Sequence, residues 1–372
     1  MLSFKDISLL IIAGGKSSRL GQDKRFLTVG NRQMLEIILE KASKLYFKQI
    51  FLCIEQNSPQ ISGLAQKFGV NILIDEINDA GAMSGIANGL KNSKSDWNIA
   101  ISADMPFFEF ETLKTLLNDN LSRIQAKIPL VDGKFQPLAA FYHKNLANFF
   151  LNELFNGQRK IFNAINKIPH SIAEISAYES FFNVNTPADL RLARGRAQNL
   201  SRKTPIIAIV APNSGTGKTF FIEKLIKRLS AQNISVGVIK SDSHGFNLDI
   251  EGKDSQKFQN AGAKSVAVVS PNQFFMIQTA KNANFLEVAE KMSADLIFTE
   301  SRTHETFPAI SLWREQGEVI KNEKIAAIFS SKPQKSDDIY QFDLNDSISA
   351  EKIVKFLAGF TQNYRAGFSR FM

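Results

Sequence analysis

The stretch that most constrains this chain is residues 7–25, I-S-L-L-I-I-A-G-G-K-S-S-R-L-G-Q-D-K-R. An apolar run from Ile7 to Ile12 meets a small-residue break at Ala13, Gly14 and Gly15, and a polar, basic loop then runs to Lys24 and Arg25. A short apolar run bounded by glycines predicts a buried strand. Glycines at its carboxyl end let backbone N–H groups approach a ligand closely. Lys16, Arg19 and Lys24 crowd into the same loop, which suits several phosphates rather than one. Open α/β sheets bind ligands at that edge. A tight strand-to-loop turn with solvated charges is the plainer reading of the glycine pair alone, and the added Arg19, Gly21, Asp23 and Lys24 argue against it.

A second loop of the same kind lies far downstream. Residues 205–210, P-I-I-A-I-V, read as a buried strand, and A-P-N-S-G-T-G-K-T follows at 211–219. A helix through Ser230 is expected next, with the stripe Phe221, Ile222, Leu225, Ile226 and Leu229. Strand, loop and helix are the setting a P-loop needs. The backbone N–H groups of Ser214, Gly215, Thr216, Gly217, Lys218 and Thr219 can cradle phosphates at the helix N-terminus. Lys218 reaches the terminal phosphates, and Thr219 offers its hydroxyl to a magnesium ion. Pro212 stands where the motif has its first glycine, so a fixed φ and a missing donor alter the loop's entry.

A length of 372 residues suits two domains better than one. The predicted division is 1–197, a connector at 198–204, a second domain over 205–360 and a tail over 361–372. Residues 191–205 hold four arginines, one lysine, a glycine and a proline, a composition shift that marks a helix end and connector. The formal charge of +9 favours anionic partners. The glycine-rich loops point to nucleotides and phosphorylated metabolites rather than nucleic acid, for which zinc spacing, a helix-turn-helix cue and aromatic–basic alternation are all missing. The single cysteine, Cys53, sits in the apolar run 50–54 and reads as a buried strand residue. The 31 phenylalanines have no functional reading. Met1–Lys5 leads straight into the first strand, which predicts no secretory leader, and no apolar run approaches the ~20 residues of a membrane span. A cytoplasmic enzyme with no membrane association is expected.

Between the loops, helices are expected over 33–46, 61–68 and 108–117, and strands over 50–54, 71–74 and 97–102. The last strand ends in A-D-M-P-F at 103–107. A lone aspartate at a strand's carboxyl edge suits Mg²⁺, which prefers one or two carboxylates plus substrate phosphates; a helix N-cap is the structural alternative for Asp104. Asp132-Gly133 between apolar runs predicts a hairpin. Gln136 and Pro137 read either as edge-strand residues or as part of an acceptor site. Arg159 and Lys160 read as solvated charge, with a phosphorylated acceptor as the other possibility. Thr186-Pro187 predicts the start of a last helix.

The first stretch resembles the signature A-G-G-x-x-x-R-x-G-x-D-K of the molybdenum cofactor guanylyltransferases (MobA), over roughly residues 5–195. D-M-P-F at 104–107 and N-x-N-T-P-x-D-L at 183–190 are similar to segments of the same family, while G-A-M-S-G at 81–85 stands where it has G-P-L-A-G. The resemblance implies a Rossmann-like nucleotidyltransferase domain that joins GMP from GTP to molybdopterin and releases pyrophosphate. It implies Arg19, Lys24 and Asp104 as catalytic residues. It places GTP against Ile12, Ala13, Gly14, Gly15, Lys24, Asp75, Gly81 and Asp104, with Asp75 facing guanine unless it is an N-cap or loop acid. The acceptor falls to Gln136, Asn183 and Asn185, and Mg²⁺ to Asp104 and, in the second loop, to Thr219.

Residues 204–360 resemble the MobB family, the GTP-binding partner of the guanylyltransferase, on the P-loop, on His244, Asp249 and G-K-D-S at 252–255, and on A-D-L-I-F-T-E-S at 294–301. The expected fold class is α/β: a Rossmann-like nucleotidyltransferase domain followed by a P-loop NTPase-like α/β domain. Molybdopterin-loading proteins and apo-molybdoenzymes are the implied protein partners. Three alternatives stay open: a molybdopterin cytidylyltransferase, a sugar-phosphate nucleotidyltransferase, and a non-enzymatic GTP-binding adaptor or regulatory module.

Overall fold

The computed structural model describes the chain except residues 1–2, 15–18, 78–79, 119–120, 176–177, 201, 241–253, 280–283, 301–305, 345–351, 354–355, 358 and 361–372. Its described strands form two separate larger sheets. The first is built from β1 (Ser8–Ile12), β4 (Gln49–Ile54), β5 (Asn71–Ile74), β6 (Trp97–Ser102), β7 (Ala126–Val131), β8 (Lys134–Phe135), β9 (Ala139–His143) and β10 (His170–Glu174), while β2 (Thr28–Val29) and β3 (Arg32–Gln33) form a small hairpin apart. The order is β10-β7-β9-β6-β1-β4-β5, with β8 on β7. β1, β4, β5 and β6 run parallel, and β9 runs antiparallel to both β6 and β7. The sheet is therefore mixed rather than purely parallel. The run 135–142 explains this: it breaks at residues 136–138, so Lys134 and Phe135 pair with the end of β7 while Ala139–His143 lies antiparallel between β7 and β6. Asp132 and Gly133 both take positive φ at the turn, as a tight two-residue hairpin requires.

β1 is the central strand of this half. All five of its residues are buried, because helices cover both faces, as the continuous apolar run predicts. One face packs with α1 (Met34–Ser43) and α2 (Pro59–Phe68), and the other with α3 (Ala82–Asn92), α4 (Leu146–Phe155) and α5 (Ile161–Ile165). α3 lies very close to the sheet. A Cβ at Gly89 would sit 2.7 Å from Leu10 Cδ2, and one at Gly85 would sit 3.2 Å from Cys53 Cβ. Gly85 and Gly89 thus let this helix lie directly on the side chains of β1 and β4. Residues 110–118 form a 3₁₀ helix where a regular one is expected.

α6 (Pro187–Asn199) begins at a capping box between Thr186 and Asp189, with Pro187 in the first turn, as the sequence T-P-x-D dictates. Behind it comes the second sheet: β11 (Ile206–Val210), β12 (Val236–Lys240), β15 (Leu296–Glu300), β16 (Ala309–Trp313), β17 (Ile325–Ser330) and β18 (Tyr340–Asp343), with β13 (Ser265–Val269) and β14 (Phe274–Gln278) as a separate hairpin. Its order is β12-β15-β11-β16-β17-β18, and every pair is parallel. α7 (Lys218–Ser230) follows β11 directly; α8 (Asp254–Asn260) and α9 (Phe285–Lys291) come later in the chain. Phenylalanines fill much of this core: Phe221 meets Phe329 at 4.9 Å between ring centroids, Phe329 stacks on Phe342 at 4.8 Å, and Phe342 meets Phe356 at 5.1 Å. Among the described residues, no helix is long and apolar enough to cross a membrane.

Candidate functional site

In the first sheet the chain goes from β1 outward to β4 and β5, then returns to β6 on the other side of β1. That reversal opens a crevice beyond the carboxyl ends of β1 and β6, where doubly wound sheets hold ligands. Ile12 pairs with Ser102, so Ala13-Gly14 and Ala103-Asp104 leave the sheet side by side. The Ala103 N–H donates to the Ile12 carbonyl at 3.0 Å.

Asp104 is buried. Its Oδ2 receives Lys24 Nζ at 2.5 Å, while its Oδ1 is buried with no hydrogen-bond partner among the described residues. The next helical segment starts only at Phe110, so Asp104 is not an N-cap. A buried carboxylate oxygen left without a donor is costly, and a hard cation is the ligand type that removes that cost. No group of three or more His, Cys, Asp or Glu side chains gathers among the described residues. A metal here would therefore rest on Asp104 and on substrate phosphates. Lys24 lies on this carboxylate, whereas Arg19 is exposed in the turn before it.

The other wall of the crevice is acidic. Asp75 follows β5, and Glu55 follows β4. A Cβ on Gly14 would lie 3.4 Å from Glu55 Cγ and 3.6 Å from Asp75 Oδ2, so the glycine leaves these carboxylates open to a ligand. Burial, with the nearby Glu55 charge adding to it, pushes the Asp75 carboxyl up to about 7. Its Oδ1 is buried and without a partner among the described residues. Asp75 is not a helix cap; Gly81, at φ 70°, caps α3. Cys53, beneath, is fully buried, and burial and then the Asp75 charge raise its thiol, which leaves it inert.

Arg25 fixes the loop. It holds Asp23 through Nε and Nη2 and reaches the Ala13 carbonyl from Nη1 at 3.4 Å. Burial alone would raise the Asp23 carboxyl, but the hydrogen bonds and charge of Arg25 outweigh it and hold it below its ordinary value. The segment with Asn183 and Asn185 comes to the same place: the Val184 N–H between them donates to the Asp104 carbonyl at 2.9 Å. Asn183 Nδ2 turns back to the Phe181 carbonyl at 3.0 Å, and Asn185 is exposed. Gln136 sits in the break between β8 and β9, where its carbonyl receives the Ala139 N–H. Arg159 Nη1 bonds the Leu154 carbonyl at 2.7 Å. Gly15 and Lys16 lie outside the described residues. Sequence reasoning missed Glu55, a single acid after a strand with no motif around it; its only signal is that β4 neighbours β1.

In the second sheet, Gly215 at φ 77° and Gly217 at φ 87° shape the loop after β11, and Gly217 caps α7. Lys218 is the helix's first residue. The Thr219 hydroxyl donates to Glu300 at 3.1 Å, at the end of the neighbouring strand β15. The Thr216 hydroxyl donates to the Asn213 carbonyl at 2.7 Å and fixes the turn. The Arg314 guanidinium lies 3.5 Å from where a Gly217 Cβ would be. Sequence reasoning missed this cation because it belongs to the end of β16. His244, Asp249 and residues 252–253 lie outside the described residues.

Comparison with known proteins matches two separate stretches of the chain. Residues 9–169 match the MobA-like NTP transferase domain, and residues 206–331 match molybdopterin guanine dinucleotide synthesis protein B. The molybdenum cofactor guanylyltransferase of Campylobacter jejuni subsp. doylei is 31% identical over 191 residues, covering 50% of this chain and 93% of that protein. The probable molybdenum cofactor guanylyltransferase of Natranaerobius thermophilus is 29% identical over 199 residues, or 51% of this chain and 95% of that protein. Among solved structures, molybdopterin-guanine dinucleotide biosynthesis protein A from Archaeoglobus fulgidus matches at 24% identity and a TM-score of 0.45, covering 50% of this chain and 97% of that one. The chain thus belongs, through its first half, to the molybdenum cofactor guanylyltransferase family, with a MobB-type domain fused behind it.

Proposed function

We propose that the chain transfers GMP from GTP to molybdopterin, forming molybdopterin guanine dinucleotide and releasing pyrophosphate, with the fused second domain acting as a GTP-binding adaptor. The observation that carries this reading is the crevice between β1 and β6. Gly14 leaves room beside two carboxylates on one wall, and Asp104 waits with a partnerless oxygen on the other. Family membership supplies the reaction class.

In the reaction, an oxygen of the acceptor phosphate attacks the α-phosphorus of GTP. The new P–O bond forms as the bond to the bridging oxygen breaks, and pyrophosphate leaves with the electron pair. No covalent enzyme intermediate is needed. The protein's share is positioning and electrostatics. Lys24 and Arg19 meet the negative charge that grows on the β- and γ-phosphates. Lys24 can exchange its contact with Asp104 for one with phosphate, since ammonium donors rotate freely. The missing side chain at Gly14 lets the nucleotide come down onto the end of β1. Asp75 accepts from the guanine N1–H and N2 amino group when ionised, a pairing that adenine lacks. Asn183 and Asn185 flank Asp104's partner Val184 and, together with Gln136, orient the acceptor. Asp104 is the residue that would hold Mg²⁺. When bound, that ion would neutralise phosphate charge during displacement.

At the second loop, the backbone from Ser214 to Thr219 cradles phosphates, and Thr219 with Glu300 forms the place for a second cation. Delivery of the finished dinucleotide to apo-molybdoenzymes suits a tethered adaptor, because the tether keeps it at high local concentration. The test is direct: pure full-length protein is given each nucleoside triphosphate with and without molybdopterin, and pyrophosphate and dinucleotide are quantified. Pyrophosphate released only with GTP and molybdopterin together supports the reading. CTP preferred over GTP, or a sugar phosphate accepted in place of molybdopterin, would replace it with one of the sibling activities.

A further inference from the structure

α6 belongs to both halves of the molecule. Leu190 and Ala193 pack with Val29, Met34, Phe107 and Val184 of the first domain, while Leu192 lies in the core of the second with Phe356 and Phe360. The contact is close, since a Cβ on Gly195 would sit 2.6 Å from Phe360 Cε1 and 2.9 Å from Pro308 Cβ. Polar contacts follow the same seam. The Ala188 N–H, in the first turn of α6, donates to the Asp337 carbonyl at 3.0 Å, and Arg191 Nη1 donates to the Asn322 carbonyl at 2.6 Å. First-turn N–H groups have no partner inside their own helix; here the second domain supplies one.

The contact that matters for chemistry is at Asp189. Its Oδ2 accepts from the backbone N–H groups of Asn185 at 3.0 Å and Thr186 at 2.9 Å. Its Oδ1 accepts from the Tyr340 hydroxyl at 2.5 Å. Tyr340 starts β18, 151 residues further along the chain. Asp189 therefore holds the backbone at the carboxyl end of the N-V-N segment, and Tyr340 holds Asp189. Val184, inside that segment, donates to the Asp104 carbonyl. Burial and then the Asp189 charge raise the tyrosine's pKa, so the hydroxyl stays protonated and donates.

We propose that Tyr340, a residue of the P-loop domain, is a positioning residue for guanylyl transfer: through Asp189 it locks the 183–186 segment against Asp104. This rests on the reading of the β1–β6 crevice as the transfer site. The consequence is that the second domain does more than accompany the first. It completes the wall on which Asn183, Asn185 and Asp104 are arranged.

The experiment uses the full-length protein with Tyr340→Phe, which keeps the ring against Phe356 and removes only the hydroxyl. Two quantities are read: backbone hydrogen exchange of peptides covering residues 181–190, and the separate kcat and KM of transfer. One hydrogen bond is worth about a 5- to 10-fold change in a local opening equilibrium. Exchange over 183–186 should rise about that much, and kcat should fall about 3- to 10-fold, with KM for GTP within about twofold. Exchange in β1 and β11 should not change, which separates the relay from general loosening. Asp189→Ala enters the same relay from the other domain, and adding Tyr340→Phe to it should cost nothing further. Unchanged exchange over 183–186, unchanged kcat, or additive losses in the double variant would each overturn the proposal. Asp104→Asn, run beside them, tells the two failures apart. If it keeps full turnover, the site reading is wrong; if it loses turnover while Tyr340→Phe does not, only the relay is wrong.

Discussion

The two phosphate loops start from the same local logic, a buried strand that ends in glycines, and are finished in opposite ways. The first is walled by carboxylates: Asp104 on one side, and Asp75 with Glu55 on the other. The second is walled by backbone donors at the N-terminus of a 13-residue helix, with Glu300 on the Thr219 hydroxyl. Buried acids near a polyanionic substrate are unfavourable unless a cation, a proton or a base-edge donor meets them. A site built so is suited to discriminating among nucleotides and to stabilising moving charge. A helix-end cradle stabilises any phosphate chain and asks little of the base. On the proposed reading, the contrast is that between a transfer site and a holding site.

The largest effect should come from breaking the first wall. Asp104→Asn keeps the shape and removes the charge. Transfer should fall by about 10²–10³-fold or more, the scale of losing one preorganised electrostatic contact, while GTP binding stays within a few-fold. Single-turnover assays with equilibrium binding check this. Turnover near wild type would move Asp104 to a structural role. The second loop should respond in the other currency. Lys218→Ala removes a charge-assisted contact to phosphate and should weaken nucleotide binding there by about 10- to 100-fold, with transfer changed by less than about threefold. Abolished transfer would put the second loop inside the chemistry.

Most of both loops could be read from sequence because each is local. A-G-G through D-K, A-D-M-P-F and T-P-x-D each lie within one strand–loop–helix junction, where spacing and geometry are the same statement. The Asp132-Gly133 turn was legible for that reason too. What escaped depends on long-range pairing. Glu55 reaches Gly14 only because β4 lies beside β1. Arg314 comes to Gly217 because β16 lies beside β11. Tyr340 finds Asp189 across the seam between the two sheets. The pairing of β9 with β6 also escaped, since a hairpin signal fixes the direction of a run against its partner but not which strand lies on its other side. The small residues in α3 were visible, but their purpose was not: Gly89 is set by the Leu10 side chain beneath it.

Asp75 sharpens the comparison through pH. Its carboxyl titrates near 7, raised by burial and by Glu55. If the ionised form accepts from guanine as proposed, the preference for GTP over ATP should rise by up to about tenfold as pH goes from 6 to 8. Stability runs the other way. The unfolded carboxyl titrates near its ordinary value of about 3.9, so the folded state holds the extra proton between that value and 7. The group's contribution is full below the unfolded pKa and is lost as pH rises through 7. Asp75→Asn should therefore raise the Tm at pH 8 and flatten the pH dependence of base choice. Nucleotide binding at the second loop should show no such pH dependence. Specificity ratios and thermal unfolding at three pH values decide it; a GTP preference flat from pH 6 to 8 would remove Asp75 as the base reader.

The smallest effect separates the two uses of glycine. Gly14 has no positive φ, so an alanine there costs the fold little. Its methyl would instead fill the gap beside Glu55 and Asp75, at 3.4 and 3.6 Å, where the nucleotide must come down. Gly217 is the reverse case. The nearest described atoms to its missing Cβ belong to the exposed Arg314 side chain, but its φ of 87° is a conformation that L side chains avoid. Gly217→Ala should thus cost about 1 kcal/mol of stability in the second domain. Gly14→Ala should leave the Tm within about a degree of wild type and raise KM for GTP by about tenfold. Denaturant unfolding and transfer kinetics on the two variants make the comparison. A Gly14→Ala variant that unfolds early but binds GTP normally would mean the first loop needs its glycine for conformation, as the second does. The two loops would then differ only in their walls.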